Sequence, residues 1–447
     1  MKNIAPKLNQ EQYEKNFEEL HPPFSKNSAA AEANRCLYCY DSPCTKACPT
    51  HIDIPSFIKK ISTGNLIGSA KTILKSNWVA LTCAKACPVE VLCEGACVYN
   101  DRDEKPIEIG RLQRYAIENY FNSGMPEIFS KKEKNGKKIA VIGSGPAGLA
   151  CSAELSLLGY DVTVYEAASV PGGLNTWGIA PYKMRMKDSL QEIEFIKKLG
   201  VKIQTNSEVG KLVAVNDLMN NYDAVFIGTG LGESASLNIP GENLAGVIGA
   251  TEFIEKVKSE NWSSVDVGRR VAVIGAGNTA IDAATEAKRL GAEQVFILYR
   301  RDREDMPAYD FEFKLAKNDG ITFHFLTAPK RILGNEFVEG IECVKMIPGE
   351  KTSNDKRSIS EAAGSEFVLP VDMIIKAIGQ NPRNTFLNEI EGLIFSNGKL
   401  LVNENYQTGN KKVFAGGDCI NGGKEVVNAA FDGKIAAQHI DKYLNGN

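Results

Sequence analysis

The run Lys138-Ile-Ala-Val-Ile142 is followed at once by Gly143-Ser-Gly145-Pro146-Ala147-Gly148 and a helical stretch to Leu158, and this stretch decides the fold. The apolar run after Lys138 reads as a buried strand. The glycines permit a tight turn, and Gly159 stands where a helix ends on a left-handed residue. Asp161 to Tyr165 (DVTVY) is the next strand, and Glu166 closes it, about twenty residues beyond the glycines. The order then recurs. Arg270 to Ile274 (RVAVI) leads into Gly275-Ala-Gly277-Asn278-Thr279-Ala280, a helix to Leu290, Gly291, and the strand Gln294 to Tyr299. Two strand–glycine loop–helix–strand units imply parallel sheets in doubly wound α/β domains. Short runs at Ala224–Ile227, Ile374–Ile378 and Val413–Ala415 supply further strands, whereas Lys351 to Gly364 is polar and predicts a surface loop.

Upstream the texture differs. Residues 1–125 read as mostly helical: Pro55 opens one helix, with Phe57, Ile58 and Ile61 on one face. Leu112, Tyr115, Ala116, Asn119 and Tyr120 repeat the period. The charged run Lys131–Lys138 is better read as a solvated linker than as a basic contact patch. The expected domains are 1–125, helical; 126–255 with 380–447, carrying the first glycine loop; and 256–379, carrying the second.

Composition removes several function classes. The chain has 447 residues, 43% hydrophobic and 24% charged, which excludes a largely disordered protein. A formal charge of −3 gives no field that would draw it to nucleic acid or an anionic membrane. No apolar leader opens the sequence, and no uncharged apolar run is long enough to span a bilayer. Of eleven cysteines, eight lie between Cys36 and Cys97. That clustering in so long a chain is unlike a disulfide-stapled secreted domain, and the expectation is a soluble protein of a reducing cytoplasm.

The first glycine loop suits a dinucleotide. Its backbone admits a pyrophosphate at the helix N-terminus, and Glu166 can accept from ribose hydroxyls. NAD and FAD would both fit. Val413-Phe-Ala-Gly-Gly417-Asp418, followed by a helix over Val426–Leu444, resembles the second FAD motif of flavoproteins with two dinucleotide-binding domains. That resemblance implies that Asp418 meets the ribityl chain and that the following helix points its positive end at the flavin pyrimidine ring. Pro171-Gly-Gly173-Leu174 resembles the flavin-contact loop of the same proteins. In the second unit no acid occupies the ribose position; Arg300 and Arg301 stand there instead. Two guanidiniums would pair with a 2′-phosphate, which favours NADPH over NADH, unless they are merely solvated surface charges. The nucleotide domains hold no Cys-x-x-Cys, which excludes a dithiol of thioredoxin-reductase type.

The cysteines form two sets, Cys36-x2-Cys39-x4-Cys44-x3-Cys48-Pro49 and Cys83-x3-Cys87-Pro88-x4-Cys93-x3-Cys97. Zinc favours pairs of Cys-x2-Cys parted by a longer loop; short mixed spacings with Cys-Pro favour iron–sulfur clusters over zinc or disulfides. Spacing suggests two four-ligand clusters without assigning cysteines to either.

Cys36-Leu-Tyr-Cys39, Pro43-Cys-Thr-Lys-Ala-Cys-Pro-Thr50, Ile52-Asp-Ile-Pro-Ser-Phe57 and Pro106-Ile-Glu-Ile-Gly-Arg-Leu-Gln113, with the two glycine loops and Ala415-Gly-Gly-Asp418, resemble the N-terminal half of dihydropyrimidine dehydrogenase. The likeness spans almost the whole chain and is greatest to the separate electron-input subunit of the bacterial enzyme. The small subunit of glutamate synthase shares the architecture. The resemblance implies one 4Fe–4S cluster on Cys36, Cys39, Cys44 and Cys97, and another on Cys48, Cys87 and Cys93 with Gln113 as fourth ligand, Cys83 being a non-ligating neighbour. It implies FAD contacts at Gly143, Gly145, Pro146, Ala147, Gly148, Glu166, Gly173, Leu174, Lys183, Gly417 and Asp418. Lys183 stands where the family often has Arg. It implies nicotinamide-nucleotide contacts, for NAD(H) or NADP(H), at Gly275, Gly277, Asn278, Thr279, Arg300 and Arg301, with Ala377 and Gly379 nearby. Hydride would pass from nicotinamide to flavin and single electrons onward through the clusters, with no catalytic acid or base among the side chains. The chain has no segment for an FMN barrel, so reduction of uracil or thymine would need an FMN-containing partner subunit. The alternatives are a glutamate-synthase small subunit, a stand-alone NAD(P)H reductase, and a redox-sensing scaffold with degenerate sites. Cys151, Cys343 and Cys419 read as packing residues.

Overall fold

The structure is a computed structural model, and it describes residues 3–351, 357–383 and 385–446. Seven helices come first: α1 (Gln10–Asn16), α2 (Lys26–Arg35), α3 (Pro43–Ala47), α4 (Ile54–Ser62), α5 (Leu66–Ser76), α6 (Ala80–Ala86) and α7 (Ile109–Asn122). Then follow β1 (Lys138–Ile142), α8 (Pro146–Leu157), β2 (Asp161–Tyr165), α9 (Leu174–Trp177), α10 (Met186–Lys198), β3 (Lys202–Gln204), α11 (Val215–Asn221) and β4 (Ala224–Ile227). The middle of the chain holds β5 (Leu231–Ser234), β6 (Val247–Gly249), α12 (Ala250–Ser259), β7 (Arg270–Ile274), α13 (Asn278–Arg289), β8 (Gln294–Leu298), α14 (Asp310–Asn318) and β9 (Thr322–His324). After them come β10 (Thr327–Leu333), β11 (Gly340–Lys351), β12 (Arg357–Glu361), β13 (Phe367–Leu369), β14 (Met373–Lys376) and β15 (Gln380–Pro382). The chain closes with β16 (Phe395–Ser396), β17 (Lys399–Leu400), β18 (Val413–Ala415), α15 (Asp418–Asn421) and α16 (Val426–Asn445).

The chain divides into two compact units. One comprises 19–177, 183–231 and 382–447. Its sheet runs β18-β4-β1-β2-β3, all parallel, with Ile139, Val141, Val162, Val164 and Phe226 buried in the core. The core is continuous with that of the N-terminal helices: Phe57, Ile58, Ile61, Ile73, Leu112 and Ile117 belong to the same buried cluster. In α4 the Asp53 side chain caps the Ser56 N–H, and Pro55 sits in the first turn, where its missing N–H costs nothing.

The other unit comprises 3–18, 178–182 and 232–381, and its sheet runs β6-β14-β7-β8-β9, also parallel. Phe17 stacks on Trp262 at 4.5 Å, and Ala5 N donates to Val267 O, so the first residues pack within this unit. Here the expected loop over Lys351–Gly364 is corrected. Arg357–Glu361 is strand β12, antiparallel to β11, while 352–356 lie outside the described residues. Ile359 is the one apolar residue of β12, so the strand carries no hydrophobic alternation to read. No helix of the described residues is long and apolar enough to cross a membrane.

Within the first unit one buried carboxylate ties the helical region to the sheet region. Glu192, on α10, is 2% exposed and accepts from Leu81 N (2.6 Å), Thr82 N (3.1 Å) and the Thr82 hydroxyl. It thereby satisfies the orphan amides at the start of α6. At the other end of α6, Lys85 pairs with Asp188 (2.7 Å) on α10 and with Glu19 (3.2 Å). Arg114 of α7 binds Glu19 and Glu118. Breaking one member of so buried a set would leave an uncompensated charge.

Burial raises the Glu192 carboxyl from its ordinary 4.5 to about 7, the Thr82 and Leu81 donors holding it down only in part. The folded protein therefore binds this proton more tightly than the unfolded chain. Glu192's contribution to stability is complete below about pH 4.5 and is lost as pH rises towards 7. Urea melts at several pH values test this. Glu192→Gln should flatten the fall in stability between pH 5 and 7, and parallel curves for variant and wild type would refute the assignment. Glu192→Ala, which strands two amides, should cost roughly 2–4 kcal/mol at pH 6.

Candidate functional site

Three loops converge at the C-terminal ends of β1, β2 and β18. Gly143 turns the chain with φ of +96°, and its close approach to the Gly228 carbonyl leaves no room for a side chain. Gly145 faces open space where the backbone enters α8, the approach a pyrophosphate needs. Pro146 opens α8, and Ala147 and Gly148 follow in its buried first turn. Gly148 packs against the Gly143 carbonyl oxygen. The Pro171–Gly173 loop folds over this turn: a Cβ on Gly173 would lie 2.8 Å from Gly145 Cα. From the third loop, Gly417 (φ +80°) lies against Ala147, where a Cβ would come within 3.0 Å of the Ala147 methyl. Leu174 begins α9 with 41% exposure, and Lys183 is half-buried.

The polar groups are arranged around these turns. Glu166 accepts from Ser144 N (3.0 Å), the Ser144 hydroxyl (2.5 Å) and Ala168 N (2.8 Å). Ser144 Oγ in turn accepts from Gly172 N at 2.8 Å. Asp418 accepts from Lys424 N at 3.1 Å; burial, with Asp432 and Glu425 nearby, pushes its carboxyl above the usual range. Asp432, on α16, accepts from Gly417 N (3.1 Å) and the Tyr406 hydroxyl (2.9 Å), and burial raises it as well. Ser144, Tyr406 and Asp432 are the residues that sequence reading missed. The available signal was a lone carboxylate on the otherwise small, buried face Val427, Ala429, Ala430, Gly433 of α16.

The second glycine loop repeats the first. Gly275 (φ +124°) abuts the Ala377 carbonyl, and Gly277 faces open space at the start of α13. Asn278 Oδ1 accepts from Tyr309 N (3.2 Å), holding the segment past the arginines against the loop. Thr279 follows in the first turn of α13, and Gly379 (φ +111°) has open space beside it. Arg300 is exposed, Arg301 is half-buried, and neither makes an ion pair among the described residues.

In the helical region Cys36, Cys39, Cys44 and Cys97 line one cavity, walled by Ile54, Ile58, Val98, Ile107 and Ile109. Among the described residues no three metal-binding side chains converge as they would on a single ion. The four thiols instead share the lining of one apolar space. Burial and the neighbouring thiols raise the Cys44 thiol to about 11. Cys48, Cys83, Cys87 and Cys93 form a second group: a hydrogen bond with Cys83, then burial, pushes the Cys87 thiol well above the ordinary range, and burial with the neighbouring Glu94 and Cys48 does the same for Cys93. Bringing so many thiolates together is unfavourable without cations, so metal loading must displace protons. Gln113 is buried on α7 and donates Nε2 to Ala80 O (2.7 Å), the residue that opens α6. With its donor so engaged, Oε1 is the atom left to ligate.

These features define a flavoprotein of the two-dinucleotide-domain type carrying an iron–sulfur module. The chain belongs to the pyridine nucleotide-disulphide oxidoreductase family, whose profile matches residues 137–433. The profile of the dihydropyrimidine dehydrogenase domain II, 4Fe–4S cluster, matches residues 13–125. The chain is 35% identical over 445 residues to the glutamate synthase [NADPH] small chain of Escherichia coli K12, covering 96% of this chain and 94% of that one. It is 34% identical over 430 residues to the NAD-dependent dihydropyrimidine dehydrogenase subunit PreT of the same organism, covering 96% and 98%. Mycobacterium tuberculosis FprA in complex with NADPH shares the fold, with a TM-score of 0.60 and 22% identity over 69% of this chain and 85% of that one. The protein is an oxidoreductase that uses FAD, a nicotinamide dinucleotide and 4Fe–4S chemistry.

Gln113→Ala should remove one cluster's electron paramagnetic resonance signal, or change its shape, while leaving the other intact. Two unchanged signals would exclude Gln113 as a ligand.

Proposed function

We propose that this protein is the electron-input subunit of a dihydropyrimidine dehydrogenase, working in the cytoplasm with an FMN-containing partner that reduces uracil or thymine. The observation that carries the reading is the union, in one compact unit, of the three-loop flavin cradle and both cysteine groups. The relatives named as a dehydrogenase subunit and a synthase small chain match over nearly their whole lengths, which supports a subunit role. When bound, FAD would supply hydride acceptance from the nicotinamide, and 4Fe–4S clusters would supply one-electron transfer toward the partner.

The side chains bind and orient. Gly145 and Gly277 leave room for the two pyrophosphates, and Glu166 offers its remaining lone pairs to ribose hydroxyls. Asp418 would meet the ribityl chain, held in place by Asp432 through Gly417. Pro146, Ala147, Gly148, Gly173, Leu174 and Lys183 would complete the flavin site. Cys36, Cys39, Cys44 and Cys97 would hold one cluster; Cys48, Cys87, Cys93 and Gln113 the other. Arg300 and Arg301, which make no ion pair among the described residues, favour NADPH. That feature also supports a second reading, the small subunit of an NADPH-dependent glutamate synthase.

Anaerobic affinity purification from the native source, with mass spectrometry of what co-elutes, separates the two. An FMN-containing partner is the expected result. A large glutamine-processing partner would move the assignment to glutamate synthesis, and no partner would leave a stand-alone reductase.

A further inference from the structure

Among the described residues neither Asp302 nor Glu304 makes an ion pair with Arg300 or Arg301. Arg357, at the start of β12, donates to Asp302 (3.0 Å) and to Glu304 (2.6 Å). Arg303 is occupied by Asp310 and lies over the Phe313 ring. Asp302 is two residues from Arg300 and adjacent to Arg301, close enough in chain to pair with either if it were free. The backbone at this turn is fixed from the other side: Thr327 N donates to Tyr299 O and Leu326 N to Arg301 O, both at 2.9 Å. Among the described residues Asp302 and Glu304 share one cationic partner outside their own segment, Arg357, at the start of β12.

We infer that Arg357 is a specificity-determining residue for the nucleotide: by holding Asp302 and Glu304 it withholds both carboxylates from Arg300 and Arg301 and leaves that pair free for a 2′-phosphate. The inference rests on the reading that these two arginines recognise that phosphate. A carboxylate beside a 2′-phosphate repels it and competes for its guanidinium partners; a carboxylate already bound does neither. NAD lacks the phosphate, so its binding should be insensitive to Arg357. Because Glu304 is 76% and Arg357 30% exposed, solvent screens the effect, and added salt should weaken it.

Calorimetric titration of the holoenzyme with NADP⁺ and with NAD⁺, at low and moderate salt, tests this. Arg357→Ala should weaken NADP⁺ binding roughly two- to fivefold, the range of a partly exposed charge interaction, and leave NAD⁺ unchanged. Adding Asp302→Asn and Glu304→Gln to that variant should restore the preference. An equal loss for both nucleotides, or no rescue, would mean that Arg357 only tethers the hairpin, and would overturn the inference. Arg300→Ala with Arg301→Ala tests the reading beneath it. If that double variant keeps the preference for NADP⁺, the 2′-phosphate assignment fails; if it loses the preference while Arg357→Ala does not, only the role of Arg357 fails. Should Arg357→Ala not fold, Arg357→Met, which keeps the aliphatic stem, should show the same selective weakening of NADP⁺, and an equal loss for both nucleotides would refute the proposal.

Discussion

A single carboxylate under the first turn of a seven-residue helix is the constraint on which the rest of this structure depends. Helix α6 is too short to be stable alone, yet it carries Cys83, ends at Cys87 and presents Ala80 to Gln113. Glu192 supplies the acceptors that its N-terminus lacks, and Lys85 anchors its last turn to Asp188. Both anchors lie on α10, which follows the Pro171–Gly173 loop in the chain. The same helix holds the Pro171–Gly173 loop, because Ser189 hydrogen-bonds Thr176, whose hydroxyl donates to Pro171 O. The buried charges are costly, but removing either member is costlier than keeping the pair.

The packing around the first glycine loop has a comparable economy of parts. Gly173 rests on Gly145 and Gly417 on Ala147, so two loops from distant parts of the chain are located by direct backbone contact with one helix start. Helix α16 closes against α8 because Gly433 meets the Ala147 carbonyl. Asp432, one position before, fixes Gly417 from the same helix. Small residues let the backbones approach, and the buried carboxylate then gives the approach a defined register.

Much of this was legible in the residues. The two glycine loops declared parallel α/β units because strand, turn and helix signals agree at each. The cysteine spacing pointed to iron and sulfur, since short mixed spacings suit a cluster better than a single ion. What escaped is what depends on tertiary contact. Glu192 and Asp432 look like ordinary surface charges until their helices are packed, and Ser144 is an unremarkable residue inside a turn. Strand β12 is polar throughout its length save Ile359, so periodicity could not distinguish it from a loop. Its partner β11 carries Pro348 within the paired stretch, which further masks a strand. Arg300 and Arg301 were readable as a pair, but Arg357, which holds Asp302 and Glu304 beside them, lies more than fifty residues away in the chain.

If flavin and clusters form one redox unit within this chain, electrons from NADPH reach the clusters without a partner. Anaerobic stopped-flow mixing of the purified holoprotein with NADPH, followed by freeze-quench paramagnetic resonance, tests this most directly. The expected result is bleaching of the flavin absorbance and then a reduced-cluster signal, with no partner present. Flavin that bleaches while clusters reducible by dithionite stay oxidised would contradict it.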